Sequence, residues 1–150
     1  MHSITQARVL IVAHKTADSH SLIEAVAQRA AAGPCAFTLL VPTSPRGLHR
    51  VTDPEDHGLA EAEGRLNAAL PLLSHAAGSE VVGMIGGHEP LAAVQDALNI
   101  IGFDEVIVSM LPPRLSRWLH LDLPRKISAL GIAVTAVAPP ESAISDRPAA

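Results

Sequence analysis

The chain has 150 residues, enough for one domain with a real core and too few for two independent ones. It is 48% hydrophobic but only 2% aromatic, so its core is built from Val, Ile, Leu and Ala, and Phe37, Phe103 and Trp118 offer little for stacking on nucleic acid bases. A net charge of -4 gives no global field that would gather nucleic acid or anionic lipid, so any anion site must be local. Cys35 is the single cysteine, which rules out an intramolecular disulfide and points to a reducing compartment. The opening "MHSITQARVL" lacks a basic region followed by an apolar core, and no uncharged apolar run reaches the roughly 18 residues of a membrane span, so a cytoplasmic protein is expected.

The first apolar run, "RVLIVA" (8–13), is continuous and β-branched, the pattern of a strand covered on both faces. Leu22, Ile23, Val26 and Ala30 then share one helical face behind a cap at Asp18 or Ser19. A second strand is expected over "AFTLLV" (36–41), followed by a long loop over 42–58 that is rich in turn residues and reads as mobile or as a lid. Leu59, Ala62, Leu66, Ala69, Leu70 and Leu73 form the next helical stripe, in which Pro71 should produce a kink.

"EVVGMI" (80–85) reads as the third strand, with Gly83, Gly86 and Gly87 supplying a tight turn before a helix opened by Glu89 and Pro90. That helix carries Leu91, Val94, Leu98 and Ile101, and "EVIVSM" (105–110) follows as the fourth strand. The crossover "VSMLPPRLSRWLHLDLPRK" (108–126) contains no glycine. Leu123, Ile127 and Leu130 mark a last helix ended by Gly131, and a final apolar strand opens at Ile132 and closes at Val137. Residues 1–138 are thus expected to form one domain, and 139–150 a disordered tail.

Strict alternation of strand and helix specifies an α/β fold, an open five-stranded parallel sheet with helices on both faces. Ligands bind such sheets outside the carboxyl ends of the strands. The edge so formed contains Ala13, His14 and Lys15 after the first strand and Val41 after the second, with Gly83 and Gly86 at the third and Ser109 and Met110 at the fourth. Arg114, Ser116 and Arg117 follow in the crossover. His14 and Lys15 either bind an anion and exchange protons or are ordinary loop residues at that edge. Arg114 and Arg117 either clamp an anion through paired hydrogen bonds or belong to a solvated face. No recognised spacing supports a metal site, no G-x-S-x-G elbow is present, and the glycine spacing fits no dinucleotide fingerprint. Cys35, with no activating base beside it in the sequence, reads as structural.

Taken together, "RVLIVAHKTADSHSLIEAVAQRA" at the front and "PLAAVQDALNIIGFDEVIVS" before the crossover resemble the universal stress protein family over nearly the whole expected domain. The resemblance implies the strand order 3-2-1-4-5, a homodimer paired through the last strand, and in many members ATP or AMP at the strand ends. Nucleotide-binding members carry a loop of glycine, two residues, glycine, about nine residues, glycine, then serine or threonine. Those positions fall here on Met110, Pro113, Leu123 and Pro124, so the chain resembles a divergent member without the glycine-rich ATP loop. Such a loop works by presenting backbone N–H groups to phosphate, and Pro112, Pro113 and Pro124 have none. The family's aspartate after the first strand corresponds to His14.

The resulting expectation is a homodimeric binding or regulatory module with no cofactor and no catalytic residues, which does not bind ATP in the family's usual manner and has neither nucleic acid nor membrane as partner. The alternative is an ATP- or AMP-binding member in which Arg114 and Arg117, with Ser116, replace the glycine loop, with slow ATP hydrolysis. A third reading is an enzyme of the wider adenine-nucleotide α/β group.

Overall fold

The computed structural model describes residues 6–43, 54–111 and 123–139. Along them run β1 (Ala7–Val12), α1 (His20–Ala32), β2 (Cys35–Pro42), α2 (Pro54–Ala77), β3 (Val82–Gly86), α3 (Pro90–Ile100), β4 (Glu105–Ser109), α4 (Leu123–Ser128) and β5 (Ala133–Val137). The strands form one sheet in the order β3-β2-β1-β4-β5, and every pair is parallel. This is the expected α/β architecture and strand order.

β1 sits in the middle of the sheet, and side-chain alternation sends its residues into both layers. Val9, Ile11 and Ala13 face α1 and α2, where they join Phe37, Leu39 and Val41 from β2 and Leu22, Val26 and Leu73 from the helices. Leu10 and Val12 face α3 and α4, meeting Val106, Val108, Val94 and Ile127. A strand buried on both sides has no polar face, which is why 8–13 reads as an unbroken apolar run. Each fully buried aliphatic side chain contributes about 1.5–3 kcal/mol of transfer free energy.

The helices begin where their caps dictate. Ser19 Oγ accepts a hydrogen bond from the Leu22 amide at 3.2 Å to start α1, and Glu89 does the same for Ala92 at 3.3 Å ahead of Pro90 in α3. At the opposite edge of the sheet, the Arg29 guanidinium forks onto the Glu105 carboxylate at 2.7–3.1 Å, fastening α1 to the start of β4. That bond raises the Arg29 pKa further.

Several boundaries differ from the sequence reading. The region read as a loop over 42–58 is shorter, because Pro42 ends β2 and α2 already begins at Pro54; residues 44–53 lie outside the described residues. α2 runs on through Pro71, which lies on its exposed side. Leu59 at 42%, Ile101 at 44% and Leu130 at 41% are exposed. Ile101 and Leu130 stand beyond the ends of their helices, where the periodic stripe no longer points at the sheet. Gly83 and Gly86 are strand residues, which leaves only Gly87 and His88 for the turn into Glu89.

Both strand glycines admit a helix. A Cβ on Gly86 would lie 2.7 Å from the Ala93 Cβ of α3, whereas one on Gly83 would meet the flexible end of Leu66 at 2.8 Å. The Ala93 methyl cannot rotate away, so α3 itself must move. Gly86→Ala should therefore lower stability by about 1–3 kcal/mol in urea unfolding, and Gly83→Ala by less.

Candidate functional site at the carboxyl edge of the sheet

In the order β3-β2-β1-β4-β5 the chain reverses direction between β1 and β4, so the crevice at their carboxyl ends is the place for a ligand. Register sets what meets there. Val12 pairs with Leu40 and with Val108, so Ala13, Val41 and Ser109 follow in one row across three adjacent strands. The row is tied by the Ala13 amide donating to Leu40 O at 3.2 Å. Ala13 and Val41 are buried beneath it.

One polar contact closes the floor of the crevice. Thr16, in the β1–α1 turn and only 8% exposed, brings its Oγ1 to 2.6 Å from Ser109 Oγ. Ser109 Oγ also lies 3.4 Å from the Thr16 carbonyl oxygen. A tight turn holds Thr16 in place, with the Ala17 amide donating to His14 O at 3.2 Å and the Ser19 amide to Thr16 O at 3.0 Å. A hydrogen bond of this kind contributes about 0.5–1.5 kcal/mol net, and it joins the two loops that border the crevice. The next residue along β4 is committed as well, since the Met110 amide donates to Val137 O at 2.7 Å.

Beside the crevice, on the α1/α2 side of the sheet, a cleft of about 330 Å³ opens next to His14. The β1–α1 turn supplies His14, Ala17 and Asp18. α2 supplies Glu61, Gly64, Arg65 and Ala68, at the i, i+3, i+4, i+7 spacing of one helical face. Arg65 pairs with Glu61 at 3.4 Å. Burial lowers the His14 pKa below 6.5; Glu61 opposes that shift, while Arg65 and Lys15 reinforce it.

The edge residues expected from sequence are thus placed as follows. Ala13, Val41 and Ser109 share the row, His14 turns toward the α2 cleft, and Lys15 is exposed beside it. Gly86 ends β3, while Gly83 sits lower in that strand, level with Leu39. Met110 follows β4 and packs against the α3/α4 core. Arg114, Ser116 and Arg117 lie outside the described residues. Thr16 was not foreseen, because a hydroxyl residue in a turn carries no periodic signal that marks it as buried. Among the described residues there is no group of three His, Cys, Asp or Glu side chains that could hold a metal, and no helix is long and apolar enough to cross a membrane. Cys35 is buried at the start of β2, and that burial pushes its thiol pKa up.

No family model matches the sequence, and no curated protein matches it. Solved structures do match. A universal stress protein in complex with cAMP superimposes with a TM-score of 0.60 at 18% identity, over 90% of this chain and 98% of that one. The chain has the universal stress protein fold. The universal stress protein from Archaeoglobus fulgidus in complex with dAMP gives 0.60 at 16% identity, over 90% and 99% of the two chains. A universal stress protein family protein from Arabidopsis thaliana with AMP bound gives 0.54 at 12% identity, over 88% and 91%. In this chain the universal stress protein fold brings Thr16 and Ser109 together at the β1/β4 crevice.

Because the folded state lowers the His14 pKa, the unfolded chain binds the extra proton first as pH falls. The stability from neutral His14 is fully present above about pH 6.5 and is lost as pH falls from there through the lowered folded value. The urea midpoint of the wild type should therefore drop across that window, and His14→Gln should lessen the drop. Identical pH profiles for the two proteins would contradict the assignment.

Proposed function

We propose that this chain is a divergent member of the universal stress protein family, a cytoplasmic binding and regulatory module that does not hold ATP in the family's usual way. The observation that carries the reading is the exit of β4. The Met110 amide is bonded to Val137 O, and Pro112 and Pro113 have no N–H, so the segment that would cup phosphate has lost main-chain donors at its start. The hydroxyl contact between Thr16 and Ser109 further supports a crevice with a polar, preformed floor.

A second reading is favoured by the solved structures with cAMP, dAMP or AMP bound. Here an adenine nucleotide occupies the row of Ala13, Val41 and Ser109 beside His14, Lys15 and Gly86, and the guanidinium groups of Arg114 and Arg117, with Ser116, take the phosphate in place of the glycine loop. Slow ATP hydrolysis would follow from that arrangement. The two readings separate in a melt. A ligand at about 100 times its Kd stabilises the folded state by about 2.7 kcal/mol, or roughly 5–10 °C for a chain of this size. The first reading expects unchanged melting with millimolar ATP or AMP. The second expects a rise that Arg114→Ala removes.

The module is proposed to be a homodimer. β5 is an edge strand of the sheet, and Ala133, Thr135 and Ala136 on it are exposed; an apolar edge left open invites pairing with another strand. Light scattering coupled to size exclusion at micromolar concentration should report twice the chain mass. A monomer that persists at that concentration would count against the dimer.

A further inference from the structure

β3 closes one side of the sheet, and among the described residues no strand pairs with its outer edge. Its pairing with β2 tells which backbone groups are already used. Gly86 O accepts from the Thr43 amide, so Gly86, Met84 and Val82 turn their N–H and C=O toward β2, while Gly83 and Ile85, at the alternate positions, turn theirs outward. One step earlier, the outward amide of Val81 donates to Ser74 Oγ at 2.9 Å. Open strand edges are ordinarily guarded by a charged side chain, a proline or a bulge. Positions 81–87 hold neither a charged residue nor a proline, and Val82 is 58% exposed.

This edge is complementary to itself. When two copies of β3 run antiparallel about a two-fold axis at Met84, Gly83 of each stands opposite Ile85 of the other, and Val82 opposite Gly86. Each branched side chain then falls against a residue that has none. An axis at Gly83 or Ile85 instead sets glycine against glycine or isoleucine against isoleucine. In the Met84 register the pairs of Gly83 with Ile85 exchange their outward N–H and C=O bonds, and the pairs of Val82 with Gly86 take the closer non-bonded positions. Ile85 would reach over the facing Gly83 onto Leu66, whose side chain comes within 2.8 Å of where a Gly83 Cβ would stand. Beyond the strand ends the same register sets Glu80 against His88, both exposed, a carboxylate facing an imidazole rather than a like charge.

We propose that β3 is a self-association edge, through which two copies of this chain join their sheets by antiparallel pairing of residues 82–86 about Met84. The contact is one short strand on each side, so it forms only well above micromolar concentration. It is independent of the dimer proposed through β5, which lies at the other end of the sheet.

Paired cysteines read the register. Opposed Cα atoms at a non-bonded antiparallel position stand about 4.5 Å apart, within reach of a disulfide. The double variant Glu80→Cys, His88→Cys, oxidised at submillimolar concentration, should give a disulfide-linked dimer on a non-reducing gel. Within one chain the two positions flank opposite ends of β3, roughly 25 Å apart, so they cannot close on each other. Either single variant leaves its cysteines as far apart across the axis and should give no such dimer, and the native Cys35 is buried. Adding Val82→Lys, at an exposed position, should abolish the cross-link while the melting temperature holds. Thr135→Lys on β5 should leave it intact. Absence of the cross-linked dimer, equal yield from the single variants, a yield untouched by Val82→Lys, or loss with Thr135→Lys would overturn the proposal. Light scattering of the wild type reads the β5 dimer separately, so either pairing can fail alone.

Discussion

Burial of β1 on both faces is the constraint from which the rest of the molecule follows. With Val9, Leu10 and Ile11 fully enclosed, β1 has one acceptable position in the sheet, and its pairings with β2 and β4 are locked residue by residue. A slip of one residue would turn Val9 and Ile11 toward α3 and α4, and Leu10 toward α1 and α2, emptying both cores at once. Register in turn fixes which residues emerge at the carboxyl edge. Ala13, Val41 and Ser109 share a row because Val12, Leu40 and Val108 do.

From that row the two sides of the edge diverge in chemistry. Toward β4 and β5 the backbone is already committed, through Met110 to Val137 O and through the hydroxyls of Thr16 and Ser109. Toward α2 the edge opens instead into a cleft walled by small residues and carboxylates. His14 borders that cleft, and burial holds its pKa below 6.5.

Much of the fold was legible in the sequence because a doubly covered strand leaves a continuous apolar run. β1, β2 and β4 are covered in that way, while the edge strands β3 and β5 keep the apolar run though half-exposed; of Asp18 and Ser19, Ser19 caps α1, and Glu89 caps α3. What failed was three-dimensional. Leu59, Ile101 and Leu130 satisfied the helical period yet lie exposed, since periodicity records direction around a helix and not whether another element lies opposite. Gly86 was read as turn, whereas it ends β3 and is kept small by Ala93. Of the site, His14 and Ser109 were legible from their place after a strand. Thr16 was not, because only the approach of the β1–α1 turn to the end of β4 gives it a partner ninety-three residues away.

We propose that phosphate is not cupped by main-chain nitrogens after β4, where the Met110 amide is bonded to Val137 O and Pro112 and Pro113 have no N–H. A crystal structure determined in the presence of saturating ATP tests it most directly. The account predicts either no nucleotide or a nucleotide whose phosphates are met by side chains. Triphosphate held by backbone amides between residues 110 and 125 would contradict it.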